Sequence, residues 1–222
     1  MTKKPLVHLF RLGLARKDLA LFKEIGRENL TLSQERELGT LAMFATHLKD
    51  KPDLAYAFEI YQDREAYELH LASPQYKAFI KKAGPLLKEK EAYELEPVFL
   101  AEKLEAGSWL KEDDFLLRLA MLEIDPKHEL AFQSLITDQM QQALDKERGV
   151  LALYALVDKQ EPKRWYFFEI YQDEAAYEQH RQTLHFTSYL ERTKELVLSK
   201  EFLVLENDSS VSKGGLTYSK KL

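Results

Sequence analysis

Apolar and polar residues alternate along this chain in a pattern that occurs twice. Short apolar runs from Leu6 to Leu14 and from Phe115 to Ile124 predict strands. The segments that follow have apolar residues near helical spacing, which predicts helices over residues 17–37 and 126–147. Two further apolar segments then flank a proline-containing turn in each half, which is typical of a β-hairpin. The hairpin strands are expected at residues 40–48 and 54–61 in the first half, and at residues 150–158 and 164–171 in the second.

Helix-capping residues follow each hairpin. Asp63 and Asp173 are placed to cap a helix, and a further helix is expected to begin after Ser73 or Thr183. In these last helices an apolar stripe at i, i+3 and i+4 predicts packing against a sheet; it consists of Tyr76, Phe79 and Ile80, matched by Phe186, Tyr189 and Leu190. Final strands are expected at about residues 92–103 and 200–206. The order β-α-β-β-α-β predicts an α+β fold with two ferredoxin-like halves, each with helices on one face of an antiparallel sheet.

The two halves also repeat in sequence. Residues 58–70 read FEIYQDREAYELH and residues 168–180 read FEIYQDEAAYEQH, and with an offset of 110 the match runs without a gap from Gly39 to His70. A unit present only twice indicates duplicated domains, because solenoids need about three or more units. The domains are expected at residues 1–106 and 112–206, with a junction near Gly107, and residues 207–222 are expected to be a polar tail outside both cores.

Each predicted sheet has bulky residues on both faces. In the strand FEIYQD, Phe58 and Ile60 point to one face, and Glu59 and Tyr61 point to the other. Helices cover only one face, so the two bare faces are expected to pack against each other and enclose a cavity between the sheets. The chain is therefore expected to be an intramolecular pseudo-dimer, and a further homodimer stays open.

Composition excludes several classes of function. The 222 residues include no cysteine, which removes thiol nucleophiles and thiolate metal sites. With 37 acidic and 32 basic residues the formal charge is −5, so no basic excess favours a nucleic-acid partner. No leader pattern is seen, and no uncharged run approaches the about 20 residues of a membrane-spanning helix. No membrane association and a cytoplasmic location are therefore expected.

The motifs FEIYQDREAYELH…SPQYKAF and FEIYQDEAAYEQHRQTLHFTSYL resemble those of the antibiotic biosynthesis monooxygenase family, within the dimeric α/β-barrel superfamily. Members usually have about half this length and form homodimers whose sheets face each other, so the resemblance implies a fused pseudo-dimer. The activities that it implies include oxidation of quinols and polyketide aromatics by O₂ without metal or flavin, haem degradation, and handling of small sugars. Haem is discounted because Leu6 to Leu14 contains no Asn and Ile80 lies near the expected haem-binding histidine.

The two halves match the histidines of the family motif to different extents. His180 and His185 match both motif histidines, whereas the first half has His70 but Gln75 in place of the second. The resemblance therefore implies an asymmetric catalytic site in the second half. Its expected catalytic residues are His180, His185, Glu169 and Tyr171, and its expected substrate-binding residues are His70, Glu59, Tyr61, Tyr67 and Tyr177.

Removal of a phenolic proton lets an electron-rich aromatic react with O₂, and a neutral histidine is a suitable base. The structural alternative is that His70 and His180 stabilise the fold by bonding the nearby strand, or Glu59 and Glu169. No metal is expected, because the i, i+5 spacing of His180 and His185 differs from the usual i, i+4 pair.

The function expected is a cofactor-independent monooxygenase that acts on a small aromatic substrate. The alternatives are a sugar or carbonyl isomerase of the same fold, and a non-catalytic small-molecule-binding or stress protein. Whether the chain is an enzyme at all is left open by the motif, although catalysis is favoured.

Overall fold

The computed structural model describes residues 4–103, 109–111 and 115–221. Its elements follow the duplicated order expected from the pattern, with the helical layer of each half split into three helices. The first half contains β1 (Leu6–Leu14), α1 (Leu19–Arg36), β2 (Thr40–Leu48), β3 (Lys51–Tyr61), α2 (Arg64–Ala72), α3 (Pro74–Ala83) and β4 (Leu87–Glu102). A short strand β5 (Trp109–Lys111) follows. The second half contains β6 (Leu116–Ile124), α4 (Glu129–Lys146), β7 (Val150–Asp158), β8 (Arg164–Tyr171), α5 (Glu174–Gln182), α6 (Leu184–Thr193), β9 (Val197–Ser212) and β10 (Thr217–Ser219).

Two compact units are present, and each has a ferredoxin-like antiparallel sheet. In unit 1 the strand order is β4-β1-β3-β2-β9-β5. In unit 2 the strand order is β9-β6-β8-β7-β4-β10. Helices α1 and α3 pack together in unit 1, as do α4 and α6 in unit 2. The α+β, ferredoxin-like fold class is confirmed.

The chain segments that form these units differ from the expected domain bounds. Within β4, residues up to Leu95 belong to unit 1 and residues from Glu96 belong to unit 2. Within β9, residues up to Val204 belong to unit 2, whereas Leu205–Gly214 belongs to unit 1. The expected junction near Gly107 lies outside the described residues.

Residues 207–212 differ from the expected polar tail because they continue strand β9. They pair with β2, from Thr46↔Asn207 to Ala42↔Ser212. Backbone pairing satisfies their N–H and C=O groups, so a run of small polar residues can be buried; Ser210 and Val211 are both 0% exposed. A polar composition alone did not reveal this pairing.

The capping residues act as expected. The side chains of Asp63 and Asp173 accept hydrogen bonds from the backbone N–H groups of Ala66 and Ala176, and Ser73 and Thr183 cap the following helices. In the expected apolar stripe of α6, Phe186 and Tyr189 pack on the core of unit 2, whereas Leu190 remains 47% exposed. No helix in the described part of the chain is long and apolar enough to cross a membrane.

The repeat begins with a glycine in each half because the backbone there lies very close to the first turn of a helix. A Cβ atom added to Gly149 would lie 2.4 Å from Cβ of Ala176 in the first turn of α5, and Gly39 has the same relation to Ala66. The backbone N–H of Gln172 also donates to the carbonyl oxygen of Gly149 at 2.8 Å. The start of β7 and the start of α5 are therefore in direct contact.

We expect Gly149→Ala to lower the free energy of unfolding by about 1–3 kcal/mol, because the added methyl group forces backbone displacement. The matched control is Gly26→Ala, since Gly26 lies inside α1 and an added Cβ atom meets no atom within 4 Å. That change is expected to stabilise the protein by about 0.5–1 kcal/mol through helix propensity. Denaturant unfolding of both variants checks the prediction, and equal effects would contradict the close approach.

Candidate active site

A cavity of about 320 Å³ lies between the sheet and the helices of unit 2. Strands β6 and β8 form its floor, and helices α4, α5 and α6 and the start of β9 form its walls. Its apolar lining consists of Leu119, Ala120, Leu122, Ile136, Phe167, Phe186, Leu190, Val197, Leu198 and Phe202. Polar side chains also line the cavity; they are Arg118, Gln139, Glu169, Tyr171, Tyr177, His180, Tyr189, Thr193, Lys194, Ser199 and Lys200.

Strand β8 places Glu169 and Tyr171 in this cavity. The two residues are two positions apart, so they lie on the same face of the strand. The hydroxyl of Tyr171 donates to Oε2 of Glu169 at 2.9 Å, and the Tyr171 ring lies 5.4 Å from the ring of His180. Glu169 and Tyr171 face the helices of their own unit. Alternation predicted which residues share a face but did not show which face the helices cover.

Burial controls the electrostatics of Glu169. Removal from water raises the pKa of its carboxyl group, and the charge of His180, the hydrogen bond from Tyr171 and the charge of Arg118 offset only part of the increase. Burial and the neighbouring Glu169 also raise the pKa of the Tyr171 hydroxyl well above its ordinary value. Glu169 therefore holds a proton more tightly than a solvated carboxylate, and Tyr171 remains a neutral donor.

Arg118 is a site residue that the sequence reading missed. It lies on β6, where its guanidinium donates to both carboxylate oxygens of Glu174, at 2.9 and 3.1 Å. Its guanidinium carbon lies 4.7 Å from the ring centroid of Tyr177. A lone arginine in the middle of the apolar strand LLRLAMLEI was the available signal, since alternation places Arg118 on the same face as Ala120 and Leu122.

His180 is held by a carboxylate that follows helix α4. Its Nδ1–H donates to Oε1 of Glu147 at 2.8 Å, and the amide of Gln139 lies 3.4 Å from its Nε2 atom. Nε2 of His185 bonds the same Glu147 oxygen at 2.6 Å. Burial alone would raise the pKa of Glu147, but the hydrogen bonds and charges of His180 and His185 lower it below its ordinary value.

The equivalent network in unit 1 uses a glutamine instead of the second histidine. His70 Nδ1 donates to Glu37 Oε2 at 2.9 Å, and Nε2 of Gln75 donates to Glu37 Oε1 at 2.6 Å. Gln75 therefore preserves the hydrogen bond that His185 makes in unit 2. Because Gln75 still bonds Glu37, the substitution of glutamine for histidine is weaker evidence for a loss of function in unit 1 than the sequence suggested.

The carboxylates that bond His70 and His180 are not the ones that the sequence led us to expect for a structural role. Glu37 and Glu147, rather than Glu59 and Glu169, bond the histidines. The repeat contained a signal for them, because Glu37 and Glu147 match at the same offset, two residues before Gly39 and Gly149. They lie just outside the stretch in which the repeat was recognised.

The expected site residues are divided between the two units. Of the expected catalytic set, His180, Glu169 and Tyr171 line the unit 2 cavity, whereas His185 lines a separate groove between α4 and α6. Of the expected substrate-binding set, Tyr177 lines the same cavity. The other four belong to unit 1, where they form a second cluster; they are His70, Glu59, Tyr61 and Tyr67.

The unit 1 cluster repeats the buried carboxyl group and its tyrosine. The Tyr61 hydroxyl donates to Glu59 at 2.8 Å, and burial raises the pKa of Glu59 despite the charge of His70. His8 occupies the position of Arg118 and lies 4.4 Å, centroid to centroid, from Tyr67. The two units therefore differ at Arg118 and its surroundings, whereas the pair of a buried glutamate and its tyrosine is present in both units.

We expect Glu147→Gln to destabilise the protein by about 1–3 kcal/mol at neutral pH, because a charged acceptor of two buried donors is lost. The lowered pKa of Glu147 means that its contribution is present above the unfolded-state pKa and is lost as pH falls through the folded-state pKa. The difference from the parent protein should therefore disappear in acid. Thermal melts across pH test this, with the exposed Glu191→Gln as control; a difference that does not change with pH would contradict it.

Comparisons with known proteins identify the family and the fold of the chain. The model of the antibiotic biosynthesis monooxygenase family matches residues 6–82 and again residues 116–192. No match was found among curated proteins.

Among solved structures, the chain is similar in fold to a proposed monooxygenase from Lactobacillus acidophilus NCFM, with a TM-score of 0.92 and 22% identity over 98% of this chain and 100% of that one. A proposed monooxygenase from Fusobacterium nucleatum gives a TM-score of 0.91 and 22% identity, with 100% of both chains covered. An anthrone oxidase-like protein gives a TM-score of 0.62 and 13% identity over 99% of this chain and 98% of that one. Because the family model matches both repeats and most of the chain, the protein belongs to the antibiotic biosynthesis monooxygenase family, in tandemly duplicated form.

Proposed function

We propose that this protein is a monooxygenase that oxidises a small phenolic or quinol-like aromatic with O₂, using its own acid–base groups rather than a metal or flavin. The observation that carries the proposal is the buried Glu169 carboxyl group, bonded by Tyr171 beside His180, in a cavity whose lining is mainly apolar. Membership of the monooxygenase family supports the reaction class. The fold shared with an anthrone oxidase-like protein makes fused-ring phenols reasonable substrates to test first.

The cavity suits a flat aromatic better than a sugar. Its volume of about 320 Å³ is at the small end of ligand pockets and would accommodate two or three fused rings. Aromatic and aliphatic side chains such as Phe167, Phe186 and Leu122 would contact the ring faces. The polar atoms of Glu169, Tyr171 and Arg118 would orient one hydroxyl group. More of the lining surface is apolar than polar, so a sugar would place hydroxyl groups against apolar side chains, which disfavours the isomerase alternative.

Glu169 is the proposed general base. A carboxylate whose pKa is raised by burial accepts a phenolic proton more readily than a solvated one does. The aryloxide that forms gives an electron to O₂ far more readily than the neutral phenol. The guanidinium of Arg118 would stabilise the negative charge on the aryloxide oxygen during this step.

The remaining steps balance without a further reductant. Electron transfer from the aryloxide to O₂ gives a radical pair, and its recombination forms a carbon–oxygen bond to a peroxide. The protonated Glu169 returns its proton to the peroxide, the ring carbon loses its hydrogen as a proton, and the O–O bond breaks. One oxygen atom stays on the ring as a quinone carbonyl, and the other leaves as water.

His180 is a positioning residue in this scheme. Its hydrogen bond to Glu147 fixes the Nδ1–H tautomer, as carboxylates do for histidines in other acid–base sites. The ring is then held beside Tyr171, on the side of the cavity where Glu169 lies. Tyr171 in turn holds the Glu169 carboxylate in one orientation.

We expect Glu169→Gln to lower the rate of O₂ consumption by about 100-fold or more, because an amide cannot accept the phenolic proton. Oxygen uptake measured with a panel of hydroquinones, naphthols and anthrones tests this, with Glu191→Gln as the control on an exposed carboxylate. Undiminished uptake by Glu169→Gln would remove Glu169 as the base. No uptake by the parent protein with any member of the panel would count against the proposed function itself.

The same substitution is expected to raise stability at alkaline pH. Because the pKa of Glu169 is raised in the folded state, stability is full below the unfolded-state pKa and falls as pH rises through the folded-state pKa. Glutamine keeps an oxygen that accepts from Tyr171 but cannot ionise. Thermal melts should therefore show Glu169→Gln more stable by on the order of 1 kcal/mol at alkaline pH, with the difference shrinking in acid. A variant less stable than the parent at every pH would show that the carboxyl group is a structural acceptor.

A further inference from the structure

We propose that Glu147, His180 and His185 form a binding site for one divalent transition-metal ion of the zinc type, present in unit 2 and without a counterpart in unit 1. In the described part of the chain, these three residues are the group whose carboxylate and imidazole atoms converge closely enough to share an ion. Their candidate ligand atoms all lie within 4.8 Å of one another. Two imidazoles and one carboxylate form a common ligand set for zinc in proteins.

The helical layer of unit 2 brings these ligands together. Glu147 directly follows α4, His180 lies near the end of α5, and His185 lies in the first turn of α6. Nδ1 of His180 and Nε2 of His185 both point at one oxygen of Glu147, at 2.8 and 2.6 Å. Tetrahedral zinc, with ligand bonds of about 2.0–2.2 Å, needs donor atoms about 3.3 Å apart. The two nitrogen–oxygen distances must lengthen by about 0.5–0.7 Å, and the distance between the two nitrogens, at most 4.8 Å, must shorten by up to about 1.5 Å, which are movements within reach of side-chain rotation.

Comparison with unit 1 shows that the site is specific to the second repeat. Around Glu37 the donors are His70, Gln75 and the hydroxyl of Thr40, with Ser33 close to His70. In unit 2 the same positions hold His180, His185, Val150 and Ala143. Unit 2 therefore has an imidazole where unit 1 has an amide, which is a poor metal ligand, and it lacks the hydroxyl groups that Thr40 and Ser33 supply in unit 1. These differences leave Glu147 with fewer competing donors and one more ligand beside it.

The surroundings of the three ligands also fit an ion. Metal binding at Nδ1 of His180 leaves a proton on Nε2, and the Gln139 amide lies 3.4 Å from that atom. Turned with its oxygen toward the ring, Gln139 accepts this proton, which is the usual outer support of a metal-bound histidine. A groove of about 410 Å³ between α4 and α6 is lined by His185 and gives access from solvent. Water can occupy the fourth coordination position from this groove.

His47 is also buried beside carboxylates, but these groups do not converge on one point. His47 faces two carboxylates, but its Nδ1 bonds Asp208 at 2.8 Å and its Nε2 bonds Glu206 at 3.0 Å. The two carboxylates therefore lie on opposite sides of one ring, and a single ion cannot contact both of them together with the imidazole. The Lys23 ammonium, 2.6 Å from Asp208, already neutralises one of them.

An ion at this site would join three helices of unit 2. Because His180 also lines the substrate cavity, the ion would hold the orientation of this ring from behind the cavity, with its proton on Nε2 instead of Nδ1. The proposal does not depend on the proposed oxidation, since binding can be measured without any substrate.

The test is titration of tag-free protein with ZnCl₂ by calorimetry, and with CoCl₂ by visible absorption. We expect one zinc per chain with micromolar or tighter affinity, and a rise in Tm of several degrees at about 100-fold excess over Kd. His185→Gln copies the arrangement of Gln75 and should fold normally, but zinc affinity should fall by about 100-fold or more. Affinity in the parent protein should also fall below neutral pH, as protons displace the metal from the histidines.

A gain-of-site variant keeps the test decisive. Gln75→His combined with Thr40→Val and Ser33→Ala places at these positions around Glu37 the residues that unit 2 has around Glu147, and is expected to raise the stoichiometry from one to two. Zinc binding of equal strength in the parent protein and in His185→Gln would indicate adventitious surface binding only and would overturn the proposal. Absence of zinc binding to the folded parent protein would overturn it as well.

Discussion

The hydrogen bond between Glu147 and His180 is the interaction on which the site depends. A carboxylate at the C-terminal end of a helix is unfavourable, because the helix dipole is negative there. Two imidazole N–H donors compensate for this position and lower the pKa of Glu147. The bond fixes the ring of His180 between Tyr171 and Phe186, with ring centroids 5.4 and 4.6 Å away. Through this ring, the end of α4 is connected to the floor of the cavity and to Glu169.

Glu169 shows how function and stability oppose each other in this fold. A carboxyl group on the helix-facing side of β8 is removed from water, and that burial is what makes it a stronger proton acceptor. The same burial costs stability whenever the group is ionised. Tyr171 and the charges of His180 and Arg118 reduce this cost but do not remove it. An apolar residue would fill the position without this penalty, and the proposed role of Glu169 as a general base gives a reason for the carboxyl group.

Duplication has left the two units with the same frame and different polar details. The close contacts of Gly39 with Ala66 and of Gly149 with Ala176 are equal, as are the bonds from Tyr61 to Glu59 and from Tyr171 to Glu169. Side chains around them have changed in matched positions, from His8 to Arg118, from Asn29 to Gln139 and from Gln75 to His185. The packing contacts tolerate little change, because an added methyl group at either glycine meets another carbon at 2.4 Å. Polar groups at the cavity and at its outer wall can change without affecting these contacts.

The sequence alone determined the two ferredoxin-like units, their element order and their helix caps, because periodicity and capping are local properties of the chain. It also placed Glu169 and Tyr171 on one face, since strand alternation requires it. Only the tertiary structure decided that this face meets the helices of the same unit, because alternation does not identify the layer above a strand. The partners of His180 and His185 were likewise hidden, since Glu147 lies 33 residues from His180 along the chain and only the packing of α4 against α6 brings it close. The burial of residues 209–212 was decided the same way, since backbone pairing with β2 outweighs a polar composition.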